Sequence, residues 1–360
     1  MLALSVPEIV GQVIMKRVTT AGGHLVEPRQ TVGPTEPHSG AYFNSQYFDY
    51  GRSLAYPESK DSKVWQAWRR KLRRKLRDLF CLDNFGAVPT PDFVVQESEV
   101  CDGYRCDKLA YETMPDNWVS AYLLVPDEDG PCPAVICPHG HGMNEKEGVI
   151  GAADSPGVPY GRELALQGVV TLAPDNAFMG ERHVDECSTS GCMVGWARLN
   201  HMGLDLTGLR VFDMMVGINV LNQLQEVDST RIGCAGLSGG CWLTQVLAAL
   251  DRRIKAVILS GFFTTFVQTG WHGHCVCHHP HGMGLVCDLP DLSALIAPRP
   301  QFIESGIDDE PYPHEPAFGM VQKAYELLDS PENLHLHRYP GGHMFRGEKS
   351  IPWLVSTLSA

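Results

Sequence analysis

Residues 231–250, RIGCAGLSGGCWLTQVLAAL, decide how the rest of the chain is to be read. RIGCA is a short apolar run of the kind buried on both faces of a sheet, and CWLTQVLAAL continues in a helical pattern. Between them stands Gly236-Leu237-Ser238-Gly239-Gly240, a G-x-S-x-G sequence. A strand that turns abruptly into a helix needs small residues beside the turn. Such an elbow holds the serine hydroxyl above the sheet, where the helix N-terminus favours developing negative charge. Glycines at a strand–helix turn can also serve packing alone or hold a phosphate, so the reading of Ser238 as a nucleophile rests on whether it has partners.

A serine hydroxyl at neutral pH needs a base, and the base needs an orienting acid. His343 ends Tyr339-Pro340-Gly341-Gly342-His343, just past the last strand-like run, where a Gly-rich loop can carry an imidazole back over the elbow. His335 and His337 alternate on that strand and are weaker bases. For the acid, QFIES is closed by Gly306-Ile307-Asp308-Asp309, and Asp309 holds the G-x-x-D position ahead of Pro311 and Pro313. Asp308 is the near rival and Glu304 a third. A tetrahedral intermediate needs two N–H donors. Gly239 supplies one, and the loop Pro138-His139-Gly140-His141-Gly142 the other, with the His141 N–H favoured. His139 reads as support under that loop, and Arg162 and Glu163 as a solvated face.

Working outward, PAVICPHG (133–140), GVVTLAPD (168–175), IKAVILSG (254–261) and PQFIESG (300–306) repeat the short apolar pattern, with helical stretches between several of them. Strands buried on both faces and alternating with helices predict an α/β fold, a mainly parallel central sheet with helices on both faces. Three longer strands are expected over 93–100, 104–114 and 118–126, a further one over 334–341, and a last short helix near 351–358. The catalytic domain is placed at 92–360, and residues 1–91 are an N-terminal extension. Its first 60 residues are rich in Gly, Pro, Tyr and His, an arm over the body or a subunit contact.

Lys and Arg number 29 against 42 Asp and Glu, a formal charge of −13, which argues against a surface built to hold a phosphate backbone. Residues 60–77 run the other way, with nine basic residues against Asp61. Trp65, Trp68, Leu72, Leu76 and Leu79 recur there at helical spacing, which predicts an amphipathic helix docked on an acidic body with a basic outer face. Neither nucleic acid nor membrane is expected as a partner, although the arm and this helix could serve a homo-oligomer. The opening MLALSVPEIVGQVIMKR is interrupted by Pro7, Glu8 and Gln12 and makes a poor signal peptide. Twelve cysteines are spread through a chain large enough to fold without bridges, several of them inside apolar runs, so a reducing cytoplasm is expected.

Taken together, the elbow, the 138–142 loop and the final histidine carry a resemblance. With Leu172-Ala173-Pro174-Asp175, Val227-Asp228-Ser229-Thr230-Arg231-Ile232, and Asp288-Leu289-Pro290-Asp291-Leu292 leading into Leu295-Ile296-Ala297-Pro298-Arg299-Pro300, the chain resembles the α/β-hydrolase superfamily. Within it, the dienelactone-hydrolase-like and acetyl-xylan-esterase-like bacterial branch is the most similar, over roughly 92–358. Dienelactone hydrolases carry cysteine at the elbow where this chain has Ser238, which departs from the cyclic dienelactone reaction. The resemblance implies a serine carboxylesterase for a small or medium ester, an acetylated carbohydrate or other metabolite among the choices, with Ser238, Asp309 and His343 catalytic and no cofactor. A serine or acylaminoacyl peptidase is the rival, and a binding protein that kept the fold is a second. The segment from Trp271 to His281 packs five His and two Cys into ten residues. Its Cys-x-Cys is tighter than a structural zinc knuckle and no second Cys pair follows, so it is expected to serve structural packing or a pocket wall, without metal.

Overall fold

The computed structural model describes residues 52–184, 190–272 and 274–360, so the expected N-terminal arm lies outside the described residues up to residue 51. Among the described residues nine strands form one sheet: β1 (Phe93–Cys101), β2 (Tyr104–Met114), β3 (Asn117–Pro126), β4 (Cys132–Ile136), β5 (Val170–Pro174), β6 (Val227–Leu237), β7 (Ile254–Ser260), β8 (Gln301–Gly306) and β9 (Leu334–Tyr339). Their spatial order is β1-β2-β3-β5-β4-β6-β7-β8-β9. The first three form an antiparallel meander whose β3 pairs antiparallel with β5. From β5 across to β9 every pairing is parallel.

This order contains a reversal of the kind that leaves a crevice in open α/β sheets. The chain steps from β4 outward to β5, then crosses back over β4 to lay down β6 on its other side. Where winding reverses, the loops leaving the carboxyl ends of the neighbouring strands splay apart and leave room for a ligand. Those loops are residues 137–144 after β4 and the elbow after β6. Strands β4, β5 and β8 are buried along their whole length, which is why their sequences are largely apolar, and the buried polar Thr171, Gln301 and Glu304 within them are hydrogen-bonded.

Helices cover both faces. On one lie α1 (Ser62–Leu79), α5 (Leu206–Leu221), α6 (Gly239–Leu250), α8 (Leu289–Ile296) and α9 (Ala317–Leu327); α2 (Glu145–Ile150), α3 (Tyr160–Ala165) and α10 (Ser350–Ser359) pack on the other. Two more, α4 (Gly191–His201) and α7 (Phe266–His272), lie on the loops above the sheet edge formed by the strand ends. The sequence periodicity had not marked α2, α4, α7 or α8. Three of them have eight residues or fewer, and α8 owes its start to a cap: Asp288 accepts from the Leu289 N–H at 2.7 Å, and Asp291 accepts from the Asp288 N–H at 2.8 Å. The Asp-Leu-Pro-Asp-Leu run is thus a helix-start device.

The basic helix α1 begins at Asp61, whose carboxylate accepts from the Lys63 N–H at 2.8 Å. It buries Trp65, Trp68, Leu72 and Leu76 in the same core as the sheet, so packing provides no break at residue 91. Its outer face is basic, with Lys63, Arg70, Lys71, Arg74 and Lys75 exposed. Two arginines depart from that picture and point inward. Arg69 donates to the Ala297 carbonyl at 2.6 Å, and Arg73 to those of Ala249 at 2.9 Å and Leu295 at 3.1 Å. These are orphan carbonyls at the ends of α6 and α8, where a cation also meets the negative end of the helix dipole. Part of the positive run is therefore spent on holding the helix in place. Among the described residues no helix is long and apolar enough to cross a membrane, and eleven cysteines there are free.

Candidate active site

Ser238 sits between β6 and α6 with φ 58° and ψ −119°, a backbone conformation that L-residues rarely adopt. Such strain costs on the order of 1–3 kcal/mol and persists only where the surroundings enforce it. Here they do. The Ser238 N–H donates to the Ser260 carbonyl of β7 at 2.9 Å, and the Trp242 N–H at 3.1 Å takes up the Ser238 carbonyl as α6 starts. Any Cβ at Gly236 would run into the Gly240 carbonyl, so the close return of helix on strand requires glycine.

The imidazole of His343 lies beside this elbow. A Cβ at Gly261, one residue past Ser260, would meet Leu237 Cδ1 at 2.8 Å and His343 Cε1 at 3.0 Å, and Leu237 is the register partner of Ser260. His343 Nδ1 donates to Asp309 Oδ2 at 2.8 Å, which leaves Nε2 as the nitrogen free to face a hydroxyl. Asp309 is buried, whereas Asp308 is exposed and is tied in through its backbone N–H, which donates to the Gly341 carbonyl at 3.0 Å. Glu304 is occupied elsewhere. Its two oxygens accept from Ser260 Oγ, the Arg346 and Gly347 N–H groups and Ser350 Oγ at 2.7–3.1 Å, which ties the loop after β9 to β8. His335 stacks on Phe302 and His337 packs against Tyr339, both on β9 rather than on the loop beyond it. Arg162 and Glu163 pair with each other at 3.2 Å, half-exposed.

The loop after β4 presses directly on the elbow. A Cβ at Gly140 would stand 2.6 Å from the Leu237 carbonyl and 3.0 Å from Ser238 Cβ, so only glycine lets the loop approach this closely. His139, fully buried below, accepts from the Asn176 N–H through Nε2 at 3.0 Å, and its Nδ1 therefore donates to the Gly140 carbonyl at 2.9 Å. Burial pushes its pKa down to about 3, so it is a neutral strut. The ring of His141 covers Gly239: a Cβ there would lie 3.0 Å from His141 Nδ1.

Residues 52–350 match the model of the Abhydrolase family. The chain belongs to that family. Its α/β-hydrolase fold recurs in solved structures: a Bacteroides fragilis protein provisionally assigned as an acetyl xylan esterase is 22% identical, with 84% of this chain and 83% of that one covered and a TM-score of 0.69. Acetyl xylan esterase 1 from Thermoanaerobacterium sp. JW/SL YS485 is 18% identical, with 87% and 98% covered and a TM-score of 0.59. By sequence, YtaP of Bacillus subtilis (strain 168), provisionally named a hydrolase, is 25% identical over 238 residues, 64% of this chain and 76% of that protein.

The site of this abhydrolase also includes residues that the sequence did not mark. Tyr312 stacks on His343 with ring centroids 4.8 Å apart, its hydroxyl is 3.1 Å from His274 Nδ1, and it reaches the Ser238 side chain. Burial, helped by the charge of Asp309, pushes its pKa up to about 12, so the phenol stays protonated through the neutral range. The available signal was its setting, Pro311-Tyr312-Pro313, which stiffens the loop next to the acid. Phe262 packs against His274, His278 and Tyr312, so the crevice is walled by aromatic and imidazole rings. His278, on the 3-10 turn Val276–His278, is buried and held neutral by that burial. Part of the His/Cys segment therefore does line the crevice, while the side chains of Trp271 and His272 lie outside the described residues. One further arrangement crosses this wall: the ligating atoms of His141, Cys192, Cys275 and Cys277 all lie within 4.8 Å of one another.

Proposed function

We propose that this abhydrolase is a serine carboxylesterase that hydrolyses small or medium esters through an acyl-enzyme. The observation that carries the proposal is the half-buried His343 held by the buried Asp309 beside a serine at φ 58° on a strand–helix elbow. Ser238 Oγ attacks the ester carbonyl carbon while His343 Nε2 takes the hydroxyl proton, and the carbonyl π electrons move onto oxygen. The N–H groups of Gly239 and His141 receive that oxyanion, and Asp309 steadies the imidazolium. As the intermediate collapses, the carbon–alkoxy bond breaks and His343 returns the proton to the departing alcohol. Water, deprotonated by the same histidine, then releases the acid and restores the serine. No step calls for an organic cofactor. The acetyl xylan esterases that share the fold make an acetylated carbohydrate a reasonable first substrate, and the ring-lined crevice offers it stacking surfaces.

A fluorophosphonate probe tests the reading directly. One adduct per chain by intact mass, mapped to the Ser238 peptide and absent in Ser238→Ala, is expected; an unlabelled wild-type chain, or a label elsewhere that persists in Ser238→Ala, would overturn it. A finer expectation concerns Tyr312. Tyr312→Phe keeps the stacked ring and removes one hydrogen-bonding hydroxyl, a change of about 0.5–1.5 kcal/mol, so turnover of an activated ester should fall roughly 2- to 12-fold. Steady-state kinetics beside a melting curve checks this; a loss beyond about 10³-fold would put the phenol within the reacting set.

A further inference from the structure

We propose that His141, Cys192, Cys275 and Cys277 form a closed Cys3His zinc site that fixes the loop pressing on the elbow. The four residues come from three separate stretches: the loop after β4, the start of α4, and the 3-10 turn behind the crevice. His141 Nε2 is 3.2 Å from Cys192 Sγ and 3.4 Å from Cys277 Sγ, and Cys275 Sγ completes a set whose atoms all fall within 4.8 Å of one another. A tetrahedral zinc shell, with bonds of about 2.3 Å to sulfur and 2.0–2.1 Å to nitrogen, puts neighbouring ligand atoms roughly 3.5–3.8 Å apart. To reach that spacing the two nitrogen–sulfur distances lengthen by a few tenths of an ångström, and any pair near the 4.8 Å limit closes by about 1 Å.

Hydrogen bonding alone accounts poorly for this crowding. Thiols are weak donors and weak acceptors, and three of them converge here on one imidazole nitrogen. A cation takes one lone pair from each of the four ligating atoms. The charges also balance: three thiolates and a divalent ion leave one negative charge, and Arg210, buried, donates to Cys192 Sγ at 3.2 Å and to the Ala177 carbonyl at 2.9 Å. A guanidinium on a ligating sulfur is the kind of outer support that metal sites use. Ala177, Leu199, Leu206 and Leu209 pack around Cys192 and Cys277 and limit solvent access. The mixture of sulfur and nitrogen selects zinc over the oxygen-seeking cations, and four protein ligands leave no position for a reacting water, so the ion is structural.

This proposal replaces the expectation of a metal-free pocket wall. That expectation rested on the missing second Cys pair, and the missing ligands stand 51 residues apart in sequence, at His141 and Cys192, on other elements. Since the His141 ring is a ligand and its backbone belongs to the loop pressing on the elbow, the ion acts as a positioning group. The proposal is independent of the esterase reading, because metal content is measured without a substrate.

Full-length protein from zinc-supplemented cells, purified under reducing conditions without chelator, should hold about one zinc per chain by elemental analysis. X-ray absorption should show three sulfurs and one nitrogen at about 2.3 and 2.0–2.1 Å. Cys192→Ser and Cys277→Ser should each lose most of that zinc. Cobalt loaded into reduced wild-type protein should give tetrahedral bands with thiolate charge transfer, a readout that does not require the variants to fold. Zinc retained in full by either variant would overturn the site. So would wild-type protein that takes up neither ion after reduction.

Discussion

Ser238→Ala and His343→Ala are each expected to lower turnover of p-nitrophenyl acetate by at least about 10³-fold while leaving the melting transition in place. The hydroxyl and the imidazole act in the same bond-making step, so the first deletion removes most of what the second could. The double variant should therefore be little slower than either single one. Folding should survive because Ser238 contributes through its backbone, whose N–H bond to Ser260 alanine keeps, and because His343 belongs to a loop that Glu304 anchors independently. Near-normal turnover in either variant, measured on protein freed of contaminating esterases, would remove that residue from the mechanism.

Asp309→Asn should cost about 10²–10⁴ in turnover, a range borrowed from the same replacement in a serine protease triad, and Asp308→Asn less than about 10-fold. The two neighbours differ by burial and by partner. Asp309 is 5% exposed and accepts from His343 Nδ1, whereas Asp308 is exposed. An amide at 309 keeps the size of the carboxylate but can donate a hydrogen bond to Nδ1, which puts the proton of the neutral ring on Nε2, the nitrogen that must accept. The amide also fails to steady an imidazolium. Parallel kinetics on the two variants checks the assignment; a large loss at 308 with 309 nearly silent would shift the acid by one residue, and silence at both would point to a carboxylate elsewhere.

That contrast shows where sequence and structure divide. The strands from β4 to β8 were legible because segments buried on both faces are largely apolar, β9 because its leucines and histidines alternate, and the elbow because a strained strand–helix turn tolerates few residues. The docked basic helix was legible from its apolar stripe, but the inward turn of Arg69 and Arg73 was not, since the carbonyls they meet belong to helices more than 170 residues away. Short α2, α7 and α8 escaped for want of enough turns to show a period, and the longer α4 because its apolar and polar residues are not sorted onto opposite faces. Tyr312 escaped because one aromatic in a proline-flanked loop carries no period at all.

By itself the sequence determined the layered α/β architecture, the elbow and the candidate residues of the catalytic set, because these depend on local propensity and on periodic burial. Only the tertiary structure decided which of two adjacent aspartates faces His343, that Tyr312 lies on that ring, and that one histidine and three cysteines from three segments share a single point. Those are matters of distance between residues remote in sequence, and such distances are set by the packing of strands and loops against one another, which no local pattern encodes.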